Sequence, residues 1–165
     1  RIPFIISYPD GIKGGRVTDE FAGLQDVVPT VASLIGLKLD REVDGVDLAP
    51  LLRNEEFFGR DYIISYSLSA PFQTYMVRKN NWKYIYSEGN GTEELYDIEN
   101  DPGEEWNLVA KPEYSETVAE LKQLMIDWAK ENGDTELLVD GQPAVTPVDL
   151  SEYAFIAEGM GWRWY

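Results

Sequence analysis

The sequence predicts an α/β chain that is α+β in its own elements: the end of an α/β core, then a small subdomain of about four antiparallel strands packed by one long helix. Three observations predict it. Residues 2–8, Ile-Pro-Phe-Ile-Ile-Ser-Tyr, form a nearly unbroken apolar run, as in a strand buried on both faces of a parallel sheet. Residues 61–98 hold four aromatic and β-branched runs separated by short polar turns, the pattern of an antiparallel sheet of about four strands. Residues 112–133 carry apolar side chains at helical spacing between a proline and an Asn-Gly pair, the start and stop signals of a helix.

A buried parallel strand at 2–8 needs neighbours, and none follows downstream. Residues 1–60 are therefore expected to be the tail of a larger α/β body whose catalytic part lies outside this chain. Pro9-Asp10-Gly11 and Lys13-Gly14-Gly15 are turn chemistry. The next helix is expected over Leu24–Gly36, with Asp26 as N-cap, Pro29 in the first turn, where a missing N–H costs nothing, and Gly36 as the stop. Val27, Val31, Leu34 and Ile35 form its apolar face. A turn at Asp44-Gly45 leads to a short helical piece at residues 47–52.

The strand subdomain is expected over 61–133. Its runs are residues 61–66, 74–78, 82–86 and 94–98, with Lys79-Asn80-Asn81 and Glu88-Gly89-Asn90-Gly91-Thr92 at hairpin length. Which sheet face is wet stays open, because alternation around Trp82, Tyr84 and Tyr86 is imperfect. On the helix, Val118, Leu121, Leu124, Met125 and Trp128 share the face expected to pack on the sheet. Residues 134–165 form a Pro-containing tail, expected to wrap back over the body.

Composition narrows the chemistry further. The 165-residue chain carries 14 basic and 30 acidic residues, a net charge of −16 that deepens along the chain from −3 over residues 1–60 to −6 over 61–110 and −7 over 111–165. Such a surface repels phosphate backbones and anionic membranes, so neither nucleic acid nor membrane is an expected partner. Solubility is the simpler account of the acidity, ahead of a dedicated cation-binding role. With no histidine and no cysteine, the chain cannot build a Ser-His-Asp or Cys-His constellation, a thiolate nucleophile, a disulfide or a zinc site of nitrogen and sulfur ligands. An export signal, if the protein has one, lies upstream of Arg1.

Five features invite a sharper function. Asp97, Glu99 and Asp101 alternate like the ligands of a helix-loop-helix calcium loop, but Pro102 stands at the sixth position and Leu108 at the twelfth, so an Asp-Pro-Gly turn is the simpler account. The aromatic residues Tyr62, Tyr66, Tyr75, Trp82, Tyr84, Tyr86 and Tyr96 fit either a sugar-stacking platform or a core beneath the helix, and Trp128 favours the core. Asn90-Gly91-Thr92 is both a glycosylation acceptor and a common hairpin turn. Arg1 opens the first strand, so the rule placing α/β sites at strand C-terminal ends points away from it. Tyr153, Phe155, Trp162, Trp164 and Tyr165 could line a cleft or cover apolar surface.

Three segments in this order resemble the C-terminal portion of the sulfatases, sulfuric ester hydrolases of the alkaline-phosphatase-like superfamily. They are Arg1–Ile6 running to Tyr8-Pro9 and Gly14-Gly15; Leu24–Thr30 through Leu34-Ile35-Gly36 to Asp44–Leu48 and Pro50-Leu51-Leu52; and Val77-Arg78 with Asn81–Ile85, then Glu94–Glu104 and Asn107-Leu108. They cover about residues 1–132. The resemblance implies sulfate-ester hydrolysis, of aryl or glycan type, through a formylglycine nucleophile and a calcium ion. It places all of that machinery in a missing N-terminal catalytic part, so no catalytic, cofactor-binding or metal residue is assigned to this chain, which alone is expected to be inactive. Calcium is expected in the complete sulfatase, acting on a sulfated small molecule or glycan, and the family's habit implies a periplasmic or secreted location. Two alternatives remain: a stand-alone, non-catalytic glycan- or protein-binding domain, and a related phosphoester hydrolase, which the Glu94–Asp97 region disfavours.

Overall fold

A computed structural model describes residues 3–69, 72–134 and 136–149. Chain contacts divide it into two units, Arg1–Asp61 and Tyr62–Tyr165.

In the first unit, residues 3–8 carry no regular secondary structure, which corrects the strand expected there. A strand is stabilised by the backbone groups of its neighbours, and no described segment supplies them. Phe4 and Ile5 are 43% and 87% exposed.

A 3-10 turn at Leu24–Asp26 runs directly into α1 (Val27–Leu34), and α2 (Ala49–Arg53) follows with Pro50 in its first turn. Asp26 stands at the N-cap position but makes no side-chain bond into α1, unlike the capping role expected. Its carboxylate instead gathers the chain around it. Gly23 N–H donates to Oδ2 at 2.7 Å, Val46 N–H to Oδ1 at 2.8 Å, and Arg60 donates Nη1 to Oδ2 at 2.8 Å and Nη2 to Oδ1 at 2.7 Å. Asp26 is fully buried, so these four donors replace the water it has lost. Gly45 lets the 44–46 turn come close enough for this, since a Cβ there would lie 2.0 Å from the Gln25 carbonyl oxygen. One turn along, buried Thr30 accepts the Leu48 N–H on its Oγ1 at 3.0 Å.

The second unit is the meander. Strands β1 (Tyr62–Ser69), β2 (Phe72–Lys79), β3 (Trp82–Ser87) and β4 (Thr92–Asp97) pair antiparallel in sequence order. Asn90 and Gly91 in the β3–β4 turn have φ of 56° and 61°, as a hairpin turn whose twist matches the strands requires. The register aligns Ile64, Val77, Tyr84 and Leu95 across the four strands, and Tyr66, Tyr75, Tyr86 and Glu93 beside them. This is the face beneath α3 (Ser115–Asn132). Tyr75, Val77, Tyr84 and Leu95 are wholly buried there with Met125 and Ala129, and Val118, Leu124 and Trp128 flank them. Which face is dry, open from sequence, is thus settled by the odd-even register. Helix α3 ends at Gly133, φ 66°, with Asp134 N–H donating to the Ala129 carbonyl at 2.9 Å, a left-handed C-terminal closure.

Beyond Asp134 the tail forms a two-residue hairpin that the sequence reading missed. Strands β5 (Leu138–Val139) and β6 (Gln142–Pro143) flank Asp140 and Gly141, both at positive φ. Its continuation runs along the β3–β4 turn. Tyr86 Oη donates to the Ala144 carbonyl at 2.6 Å, Asn90 N–H to Thr146 at 3.0 Å and Thr146 N–H to Glu88 at 2.9 Å. The remaining tail residues lie outside the described ones.

Burial opposes the charge of Asp26, yet the Arg60 bonds, the Gly23 and Val46 amides and the nearby guanidinium charge together hold its pKa below 3.8. A depressed carboxylate adds stability above its unfolded pKa, which is lost as pH falls through the folded one. Asp26→Ala is expected to remove about 3–5 kcal/mol by leaving Arg60 and two amides unpartnered. Asp26→Asn should flatten the decline in melting temperature on acidification below pH ~4, as followed by thermal denaturation across pH.

Candidate functional site

The acidic turn after β4 is the feature most like a cation site, and its carboxylates are turned onto their own loop. Asp97 Oδ1 accepts from Glu99 and Asn100 N–H at 3.1 and 3.3 Å, and Oδ2 accepts from Asn100 Nδ2 at 2.7 Å. Asp101 accepts from the Glu105 and Trp106 amides at 3.1 and 2.9 Å. Glu99 is engaged by Asn81 and Glu104 by Lys83. The Asn100 side chain and these amides hold Asp97 below its ordinary pKa. Asp97 thus closes an Asx turn on its own loop, and Asp101 ties residues 105–106 back across Pro102-Gly103. Among the described residues, no group of three or more His, Cys, Asp or Glu side chains is placed to hold a metal.

The aromatic set divides. Tyr75, Tyr84 and Tyr86 are buried, and Tyr62 and Trp82 pack against the same core. Each buried phenol finds a partner: Tyr84 Oη donates to Glu93 at 2.9 Å, Tyr86 Oη to the Ala144 carbonyl, and Tyr75 Oη to Asp134 at 3.0 Å. Burial, reinforced by the neighbouring carboxylates, raises all three phenols well above their ordinary range. Lys122 completes the network by donating to Glu93 at 2.8 Å with its ammonium 5.9 Å from the Tyr86 ring centroid. These are core residues with satisfied polar tips. Tyr66 differs, being 52% exposed while its ring stacks on Tyr75 at 5.9 Å. Tyr96 faces away from α3, by strand alternation.

Asn90 is committed to structure as well. Its Nδ2 donates to the Val148 carbonyl at 3.1 Å and its Oδ1 accepts the Val148 N–H at 2.9 Å, so the side chain pairs like a short stretch of strand. Arg1 and the aromatic residues Tyr153, Phe155, Trp162, Trp164 and Tyr165 lie outside the described residues. In the first unit, a hollow of about 90 Å³ lies between Ile6, Ile12 and Leu51 beside Lys13 and Arg16. It is well under the ~300 Å³ of a small-molecule pocket, and Arg16 donates Nη1 into the fold, to the Leu51 carbonyl at 2.8 Å.

A family model described as the C-terminal part of N-sulphoglucosamine sulphohydrolase matches residues 1–131. This chain belongs to that sulfatase family. The Delta 4,5-hexuronate-2-O-sulfatase of Bacteroides thetaiotaomicron is 37% identical over 87% of the chain and 32% of its own length. The ulvan-active sulfatase of Formosa agariphila is 28% identical over 89% of the chain and 36% of its own length. A solved 2-O GAG sulfatase superposes with a TM-score of 0.61 at 35% identity, covering 66% of the chain and 25% of that structure. The chain thus spans about a third of the length of the curated relatives it matches. Its four-stranded sheet with one long helix is the sulfatase C-terminal subdomain. The matched segment includes the Asp97–Asp101 turn and the Asn107-Leu108 pair that follows it.

Asp101→Ala is expected to lower stability by about 1 kcal/mol through the two amides it frees. Adding calcium to the isolated chain should leave its melting temperature unmoved, and a reproducible calcium-dependent rise would show that the turn binds the ion.

Proposed function

We propose that this chain is the C-terminal part of an exported sulfatase that hydrolyses sulfate esters of glycan or aryl type, and that its own role is structural. In this reading the formylglycine, its calcium ion and the basic residues around them belong to the preceding part of the protein. Among the described residues no group of carboxylates is placed to hold a metal, and the sequence has no cysteine and no serine closely followed by the proline and arginine of a nucleophile motif. The periplasmic or secreted location rests on family habit. The names of the glycan sulfatases among the relatives favour a sulfated glycan as substrate.

One observation carries the structural role. Leu24, Val28, Val31 and Ile35, spaced four, three and four residues apart, are 75%, 55%, 48% and 63% exposed. That spacing puts them on one side of α1 and its flanking turns. Of the apolar face expected from sequence, Val31 and Ile35 are therefore uncovered and Val27 and Leu34 half-buried, while Pro29, Thr30 and Ala32 point inward. Elsewhere in this unit Val17 and Leu37 are 96% and 59% exposed. An apolar stripe on this scale marks a surface made to be covered. A helix packed on the sheet of a longer α/β domain would bury it, at about 1.5–3 kcal/mol for each large side chain fully covered.

Measuring the intact mass of the product of the native gene tests the reading. A product well above 18.8 kDa with a nucleophile motif upstream is the expected result. A native product beginning at Arg1 would overturn it in favour of a stand-alone binding domain. The isolated chain should turn over no aryl sulfate. Val28→Lys with Val31→Glu should reduce its binding of a hydrophobic dye while leaving the sheet signal intact, and the same pair should destabilise the longer protein.

A further inference from the structure

The meander protects its boundaries unevenly. The Glu88 N–H donates to the Gln73 carbonyl at 2.9 Å, so residues 73, 75, 77 and 79 of β2 aim their backbone groups at β3, and even-numbered β2 residues aim theirs at β1. The register pairs Arg78 with Ile63 and Met76 with Ser65. The backbone N–H and C=O of Tyr62, Ile64 and Tyr66 therefore point away from the sheet. The same alternation turns Glu93 and Leu95 outward on β4, and there the chain covers its own edge. Leu108 N–H donates to the Leu95 carbonyl at 2.8 Å, Leu95 N–H to Asn107 Oδ1 at 3.0 Å, and Asn107 Nδ2 to the Glu93 carbonyl at 3.2 Å. The β3–β4 turn is covered by residues 144–148. Among the described residues, no backbone group bonds to Tyr62, Ile64 or Tyr66 on the outer edge of β1.

The sequence of that edge also carries none of the residues that ordinarily discourage strand addition. Its eight paired residues, Tyr-Ile-Ile-Ser-Tyr-Ser-Leu-Ser, contain no charge, proline or glycine, whereas open edges are ordinarily blunted by lysine, proline or a bulge.

We infer that the outer edge of β1 is a strand-addition site, filled by an extended segment from the part of the longer sulfatase that this chain does not contain. This rests on the proposed function above. The length of the relatives argues for that occupant: with 36% and 32% of them matched, roughly two thirds of each lies outside the chain. A second copy is disfavoured on two grounds. Each chain carries a net charge of −16, so two copies repel. One added strand also buries less than the ~1,000 Å² that a specific dimer needs. The chemistry of the incoming segment follows from the alternation of β1. It presents β-branched or aromatic residues opposite Ile64 and Tyr66, on the side of α3, and small polar residues opposite Ser65.

Residue-resolved amide hydrogen exchange on the full-length native product tests the inference. Ile63 and Ser65 donate inward to β2 and serve as the internal reference for a folded sheet, while Ile64 and Tyr66 report on the outer edge. The expected result is exchange at Ile64 and Tyr66 within about tenfold of the inward pair in the full-length protein, and much faster exchange than that pair in the isolated chain. Fast outward exchange in the full-length protein would overturn the inference. So would slow outward exchange in the dilute isolated chain, which would assign the added strand to another part of this chain, or slowing that depends on concentration, which would assign it to a second copy. A native product beginning at Arg1 would be visible first, in the mass, and would fail the proposed function separately.

Discussion

The second unit depends on one constraint: a single sheet face carrying three buried tyrosines must be dry along the rings and hydrogen-bonded at their tips. Helix α3 supplies the first condition through Leu121, Met125 and Ala129. The second is met by groups from three different places, Glu93 on β4, Asp134 just beyond α3 and Ala144 in the tail. A phenylalanine core would need none of these partners, whereas a buried hydroxyl without one would cost about 1–3 kcal/mol. The tyrosines thereby fix the positions of the helix end and the tail relative to the sheet.

The first unit is organised differently. Its described interior is built less from apolar packing than from polar side chains that gather backbone amides, Asp26 with its four donors and Thr30 with the Leu48 amide. This arrangement holds the 44–48 segment against α1 while leaving the outward stripe of α1 uncovered. A carboxylate with two amides and a bidentate guanidinium is directional in a way that aliphatic contacts are not. It can therefore define the position of a turn with little apolar burial to help.

The sequence carried most of the second unit. The four antiparallel strands, the Asn80 and Asn90 turns, the stop at Gly133 and the inward face of α3 all follow from local chemistry that the fold did not override. The Asp140-Gly141 hairpin was equally legible in principle, through its turn pair, and was obscured by the prolines around it. The first unit was less legible for physical reasons. The run at residues 3–8 has the composition of a buried strand, but composition cannot provide pairing partners. Asp26 looks like an N-cap because the residue type and position are right, and only the fold reveals that Val46 and Arg60 compete for its oxygens. Helix α1 shows the same limit: periodicity offered Val27, Val31, Leu34 and Ile35 as one apolar side, and tertiary context leaves Val31 and Ile35 open together with Leu24 and Val28. Of the features that invited a sharper function, the acidic turn, most of the strand aromatics and Asn90 are engaged in turn, core and tail-anchoring contacts, while Arg1 and the tail aromatics lie outside the described residues.

The pairing of Asn90 with Val148 bears on the order in which the molecule comes together. Its two bonds, like that from Tyr86 to Ala144, join positions 58 residues apart in sequence, and the whole of α3 lies between them. A loop of that span is costly to close before its middle is compact. The meander can assemble through neighbouring strands, and α3 can form along its own length, but the segment after β6 has no anchor until both are in place. Its docking is therefore expected late in folding, with Asn90 and Tyr86 as its points of attachment to the sheet.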